Sequence, residues 1–154
     1  MRKYISETTK AYIAGFFDGE GSVGLYEMKS RKGKGGSYGL QVTINNVNPL
    51  PLKLIQEIFD GRLNIIEYQK ENFPIKRTVW QWRINAKKAE FFLSQILDYV
   101  IIKKEEILLA LEYRKTLLKC GKQKHREMIT DELYIKRKKM AQKMKELKCR
   151  EWIM

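Results

Sequence analysis

Hydrophobic and polar positions recur along this chain with two different periods, and the changes between them mark its elements. At 8–18 (TTKAYIAGFFD) the period is helical, with Ser6, Thr8 and Thr9 as alternative N-caps. The helix is unusual. Ala11, Ala14, Gly15 and Asp18 fall at i, i+3, i+4 and i+7 and make a face of small residues, while Tyr12, Ile13, Phe16 and Phe17 fill the remaining circumference. A helix apolar nearly all round is expected to be buried. A glycine in mid-helix costs about 1 kcal/mol relative to alanine, so Gly15 predicts a closely packed neighbour. The segment ends in Gly19-Glu20-Gly21, whose glycines permit a sharp exit.

A period of two takes over at 22–30 and 38–45, two predicted strands joined by RKGKGG, a flexible basic hairpin loop. In the second strand Leu40, Val42 and Ile44 alternate with Gly39, Gln41, Thr43 and Asn45. Asn48-Pro49 then opens a helix at 49–59, with Leu50, Leu54, Ile55 and Ile58 as its expected buried side. After Asp60-Gly61 comes a second strand pair at 63–70 and 77–84, with Pro74 in the turn. Here Trp80, Trp82 and Ile84 alternate with Gln81 and Arg83. Asn85 is the expected cap of a helix at 86–99 carrying Ala89, Phe92, Leu93 and Ile96. A further helix runs at 104–119 through Ile107, Leu108 and Leu111. The order α-β-β-α-β-β-α-α predicts an α+β sandwich, four strands in two hairpins with helices on one face. In the last segment Thr130 caps a helix to Cys149, marked by a thin stripe of Leu133, Ile135, Ala141, Met144 and Leu147. The expected division is a core at 1–118 and a basic helical extension at 119–154.

Composition narrows the chemistry. A length of 154 residues argues for one domain with a short appendage. No apolar run approaches the roughly 20 residues that span a bilayer, and MRKYISETTK lacks the apolar stretch of a signal peptide. Cys120 and Cys149 are too few for a disulfide scaffold or a zinc site, so a reducing intracellular compartment is the simplest expectation. His125 is the single histidine, which excludes multi-His metal centres. The chain carries 31 Lys+Arg against 18 Asp+Glu, a net charge of +13, and the expected partner is a polyanion. The extension supplies +7 of this from 12 Lys+Arg against 5 Asp+Glu. Its KRKK run at 136–139 reads equally as a solvated helix face or as a set of phosphate contacts.

Two features could carry function. The open sheet face offers Gln41, Thr43, Gln81 and Arg83, with Tyr26 and Tyr68 beside them. Gln and Arg form bidentate bonds with base edges, and strand ribbons fit the major groove. An ordinary solvent-facing sheet shows the same alternation. The strand ends and hairpin loops add Lys29, Arg31, Lys32, Lys34, Lys70 and Arg77 as further candidate DNA contacts. The second feature is the acidic pair Asp18 and Glu20 at the C-terminal end of the first helix, where the dipole is already negative. Either a divalent cation compensates, held by a carboxylate and a backbone carbonyl, or Asp18 caps local backbone groups and Glu20 is simply exposed.

The segment IAGFFDGEG at 13–21 resembles the signature of the LAGLIDADG homing endonucleases. INN at 44–46 followed by a capped helix, and WQWRI at 80–84 followed by NAKKAEFFLSQILDYVIIKKEE, resemble later blocks of the same family, so the likeness runs in order from about 8 to 118. The resemblance implies the αββαββα fold, with a four-stranded antiparallel saddle sheet, a basic C-terminal helix added here, and motif helices that pair through their small faces. Only one motif is present, which implies a homodimer joined through Ala11, Ala14, Gly15 and Asp18 and a pseudo-palindromic DNA target. It also implies that Glu20 and the Gly19 carbonyl bind Mg²⁺, for which Mn²⁺ is an expected substitute, and that Lys103 lies near the scissile phosphate. Asn46, or Asn45 one residue earlier, falls where the family positions its water network. DGEG in place of DADG is a familiar variant.

The function expected is therefore a site-specific, metal-dependent DNA endonuclease, and a chain starting at Met1 reads as an intron product rather than an intein insert. The alternative is a non-cleaving protein on the same scaffold, either an RNA maturase or a DNA-binding regulator; RNA is an expected partner only in the maturase case. Glu20 and Lys103, which cleavage needs and binding does not, are both present. A ribosome-associated basic protein would explain the charge but not the small-faced helix with its acidic end. Membrane-surface binding would explain the C-terminal helix alone.

Overall fold

The computed structural model describes residues 4–28, 37–68, 77–118 and 130–150, with Tyr68, Arg77 and Leu118 described in backbone only. The elements are α1 (Glu7–Glu20), β1 (Gly21–Met28), β2 (Ser37–Asn46), α2 (Pro49–Phe59), β3 (Arg62–Tyr68), β4 (Arg77–Asn85), α3 (Ala86–Ile96), α4 (Lys104–Leu118) and α5 (Asp131–Cys149). All neighbouring strands pair antiparallel in the order β1-β2-β4-β3, so each hairpin contributes one inner and one outer strand. The expected α+β architecture is the one observed.

Residues paired across antiparallel strands share a face. The row Gly21, Ile44, Trp82 and Leu63 and the row Val23, Val42 and Ile84 therefore look toward the helices, and the core forms there. Phe92 of α3 is the hub: it meets Phe17, Phe59 and Trp82 at ring-centroid distances of 5.5, 5.0 and 5.1 Å. The Trp82 indole N–H donates to the Asp60 carbonyl at 2.8 Å, which frees the large ring to sit in the core without an orphaned donor.

Several helix starts are set as expected. Ser6 accepts from Thr9 N, Asn48 from Leu50 N and Thr130 from Leu133 N. Asn85 stands at the N-cap of α3 as expected, but its side chain makes no capping bond. Its Oδ1 accepts from Gln41 Nε2 at 3.1 Å, because the side chain belongs to the open sheet face and not to the helix entrance. On α2 the buried stripe is Leu52, Ile55 and Phe59, at i, i+3 and i+7; Leu50 and Leu54 are exposed, so the expected face is rotated. On α4, Ile107 is buried as expected, Leu108 is exposed and Leu111 half-buried, while Leu109, Ala110 and Tyr113 complete the core face.

α5 is built into the same core rather than standing apart. Met140, Ala141 and Met144 are buried in it, while the expected Ile135 is exposed and Leu133 and Leu147 are half-buried. The buried Arg137 donates to the Thr116 hydroxyl and carbonyl, both at 3.1 Å, and its guanidinium lies 6.0 Å from the Tyr113 ring centroid. A fully buried Tyr113 in turn donates to the Tyr38 carbonyl, linking α4 to β2. Among the described residues no helix is long and apolar enough to cross a membrane.

Candidate active site

α1 is buried on only one side. Ile13, Ala14, Phe17 and Asp18 face the core, whereas Thr8, Ala11, Tyr12, Gly15, Gly19 and Glu20 are exposed. The small face expected from the sequence is therefore divided: Ala14 and Asp18 belong to this chain's interior, and Ala11 and Gly15 remain outside it. Among the described residues nothing lies within 4 Å of a Cβ built at Gly15 or at Gly19. The close neighbour predicted for Gly15 is not found among the described residues. Gly21 does meet one, since a Cβ there would stand 2.1 Å from the Phe17 ring and 2.6 Å from the Phe17 carbonyl. The helix exit thus needs glycine for close packing, not for a left-handed turn, as its φ of −84° confirms.

Asp18 organises the connection between α3 and α4. One carboxylate oxygen accepts from Ile101 N at 2.7 Å and Ile102 N at 3.2 Å, and the other from Lys103 N at 3.1 Å. These are the unpaired donors that precede α4, whose first turn begins with Ile107 N bonding the Lys103 carbonyl at 3.0 Å. The Lys103 ammonium reaches back to the Asp18 carbonyl and sits 6.0 Å from the Phe17 ring centroid. The negative end of α1 therefore receives a cation from its own chain. Glu20, two residues on, is exposed, and its carboxylate has no hydrogen bond or ion pair among the described residues. Glu20 and Lys103 are thus brought to the same helix end.

The ladder between β1 and β2 ends at Gly21 opposite Ile44; Glu20 closes α1 just before it, and Asn45 follows Ile44 in β2. Asn45 shares the open face with Gln81 and Asn64, and its Oδ1 is buried without a hydrogen-bond partner. Asn46 lies in the row of Trp80 and Ile65, and its Oδ1 accepts from Asn48 N at 2.8 Å in the turn before α2. Of the two asparagines, Asn45 is the one with a free acceptor among the described residues.

The open face carries the expected polar rows. Ser22, Thr43, Arg83 and Arg62 form one, and Gly24, Gln41 and Asn85 another. Arg83 donates to Gln81 Oε1 at 2.6 Å, and Gln41 is tied to Asn85. Tyr26 is exposed on the same face. Lys29, Arg31, Lys32, Lys34 and Lys70 lie outside the described residues, as do the side chains of Tyr68 and Arg77.

The end of α5 closes on the same region, which the sequence reading did not anticipate. Lys148 Nζ donates to the Ser22 hydroxyl at 3.0 Å, two residues beyond Glu20. Arg150 binds the Ile102 carbonyl at 3.0 Å and Glu105 at 2.6 Å, gripping the loop that Asp18 holds from the other side. Together Ser22, Ile102, Lys103, Glu106, Lys148 and Arg150 border a cavity of about 240 Å³. Partial burial lowers the pKa of Lys148 from the ordinary lysine value; Glu106 opposes that effect and Lys103 adds to it. A sequence signal existed: Ala141, Met144 and Lys148 follow at i, i+3 and i+7, so a lysine stands where the buried stripe continues.

The comparisons with known proteins fall on this architecture. The homing endonuclease I-CvuI, in complex with its target in the presence of Ca, has a TM-score of 0.70 at 16% identity over 96% of this chain and 86% of that one. The archaeal intron-encoded homing endonuclease I-Vdi141I, complexed with DNA, gives 0.69 at 22% identity over 95% and 87%. The meganuclease I-SmaMI bound to uncleavable DNA gives 0.64 at 17% identity; 88% of this chain covers 44% of that one. No curated protein matches the sequence. The LAGLIDADG endonuclease family does match, over residues 13–116, from within α1 to within α4. On that match, which takes in the acidic end of α1 and the Lys103 loop it holds, the chain belongs to the LAGLIDADG endonuclease family.

Proposed function

We propose that this protein is a site-specific DNA endonuclease that acts as a homodimer and requires a divalent cation, Mg²⁺ in the first instance. The observation that carries the reading is the placement of exposed Glu20 and the Lys103 amine at the same C-terminal end of α1, where Lys103 reaches the Asp18 carbonyl. Cleaving a phosphodiester needs an activated water, neutralisation of the phosphate and stabilisation of the leaving oxygen. Binding alone calls for neither group, whereas cleavage calls for both, a carboxylate free to hold a cation and a lysine at the same helix end.

The residues fit a hard cation. Glu20 offers a free carboxylate and Gly19 a carbonyl at an uncrowded helix end, and Mg²⁺ commonly completes its shell with water and phosphate oxygens rather than with protein groups. When bound, the metal would supply Lewis acidity at the phosphate and a more acidic water. Lys103 would neutralise a non-bridging phosphate oxygen, and the fixed loop beneath it would keep that amine in place. Asn45, with its free acceptor, is a better candidate than Asn46 to orient the attacking water. The exposed strip Thr8, Ala11, Gly15 and Gly19 supports pairing of α1 with α1 of a second copy, which would bring two such sites together about a two-fold axis. The open sheet face, with Gln41, Thr43, Gln81 and Arg83, would then lie on DNA, and the +13 charge would favour it. Encoding by a mobile intron and residence in a reducing compartment complete the proposal; the free, exposed thiol of Cys149 is compatible with the latter.

The test is a cleavage selection on a randomised DNA library, run with Mg²⁺ and with Ca²⁺, followed by sequencing of the cut ends. Mg²⁺-dependent cuts at one long pseudo-palindrome are expected. On that duplex Glu20→Gln is expected to lower the cleavage rate at least about a thousandfold, with binding within about threefold of wild type. Retained cutting by the variant would refute the role of Glu20, and binding without any cutting by wild type would favour a maturase or regulator.

A further inference from the structure

We infer that the last turn of α5 completes the active site, with Lys148 as a second phosphate-binding cation beside Lys103. The inference rests on the endonuclease reading and extends it to a helix outside the family match at 13–116. Three observations converge on it. First, Lys148 and Lys103 border one cavity, and Gly21 and Ser22, immediately after Glu20, line it with them. Second, the lining holds two ammonium groups that no carboxylate pairs among the described residues. Arg150 is matched by Glu105 at 2.6 Å and Glu106 at 3.8 Å, whereas Lys103 and Lys148 have no such ion pair. Like charges gathered on one small concave surface repel, and an anion relieves that repulsion. Third, the lysine is aimed. Its bond to Ser22 uses one of three ammonium donors and leaves two for a ligand. Ser22 shares its row with Thr43 and Arg83, so the amine arrives at the margin of the open sheet face.

The anion that reaches this place in a nuclease is a DNA phosphate, either the one attacked or its neighbour. Two lysines from different helices would then flank the backbone where Glu20 acts. In hydrolysis the water oxygen bonds to phosphorus while the bond to the leaving sugar oxygen breaks, and negative charge grows on the oxygens around phosphorus. A fixed ammonium there acts more strongly on the transition state than on the bound ground state. Lys148 is held by the packing of Met140, Ala141 and Met144, so the basic extension serves catalysis through one residue rather than through its overall charge.

The test uses the full chain and the duplex recovered from the library selection. Single-turnover cleavage is measured in Mg²⁺ and affinity in Ca²⁺, for wild type, Lys148→Met, Lys148→Arg and Lys143→Met. Lys148→Met is expected to cut about 100-fold more slowly with affinity changed less than about tenfold, a loss typical of one missing transition-state donor. Lys148→Arg should recover most of the rate. Lys143→Met removes the same charge from the same helix and should stay within about threefold of wild type. The inference is overturned if Lys148→Met cuts within about threefold of wild type, if Lys143→Met is equally impaired, or if Lys148→Arg is no better than Lys148→Met. Each of these leaves the endonuclease reading standing, because wild type cuts in all of them; a wild type that binds but does not cut overturns both.

Discussion

The carboxylate of Asp18 is the part of the site whose removal has the most calculable consequence. It is 9% exposed and accepts three backbone N–H groups that α4 cannot satisfy itself. Asp18→Asn keeps the shape but leaves one acceptor oxygen and turns an NH₂ toward a backbone donor. At least one charge-assisted bond is lost, at about 1.5–3 kcal/mol, and the others fall to neutral strength at about 1 kcal/mol each. The loss of the negative charge at the start of α4 removes a further few tenths. The expected total is about 3 kcal/mol, against a typical stability of about 5–15 kcal/mol. For a chain of this size that corresponds to a fall in Tm of about 10 °C. Urea unfolding of the full chain measures it, and the m-value should not change. Amide exchange at Ile101, Ile102 and Lys103 should accelerate in the folded state, because those donors lose their acceptor while the rest of the core is untouched. A loss below about 1 kcal/mol, with exchange at the three amides unchanged, would refute the assignment of Asp18 as the clamp on the Lys103 loop.

Two further substitutions separate the interior of α1 from its outer face. Gly15→Leu adds a side chain where the described residues leave open space, so the monomer fold should gain about 1 kcal/mol of helix propensity while the proposed self-association weakens at least tenfold; sedimentation that finds self-association unchanged would reject pairing through this face. Gly21→Ala should have the opposite signature, destabilising the fold by about 1–3 kcal/mol through the clash with Phe17. Denaturant unfolding checks it, and a neutral result would mean that the Phe17 ring moves aside freely.

The sheet was legible because its alternation had a single cause. Leu40, Val42 and Ile44 face the helices, so the intervening Gln41, Thr43 and Asn45 face outward, and the antiparallel register follows. α3 was legible for the same reason, as Ala89, Phe92, Leu93 and Ile96 have one partner surface. α2 was read only in part: Ile55 is buried and Ile58 packs against the core as expected, but Leu50 and Leu54 form a second apolar strip that is exposed, and periodicity alone does not say which of two strips meets the core. The side chain of Asn85 was misread because one that caps locally can also bond across strands, and Gln41 lies 44 residues away in sequence.

The site was legible to a different depth at each residue, and the differences have a physical basis. Glu20 and Lys103 emerged through family resemblance; spacing in sequence could not join residues that meet only because α1 ends beside the start of α4. The role of Asp18 was one of two open readings, and what decides it is tertiary: the loop at 101–103 brings three unpaired amides to the carboxylate. α1 shows the limit most clearly. A helix apolar on all sides was expected to be buried, yet one chain covers only the Ile13, Ala14 and Phe17 side. Composition carries the cost of every surface a residue covers, whereas the described fold accounts only for the contacts inside one chain. The outer face of α1 and the pair Lys103 and Lys148 under α5 are two surfaces that the described residues leave unmatched, one in packing and one in charge. The proposed dimer on DNA would match both at once.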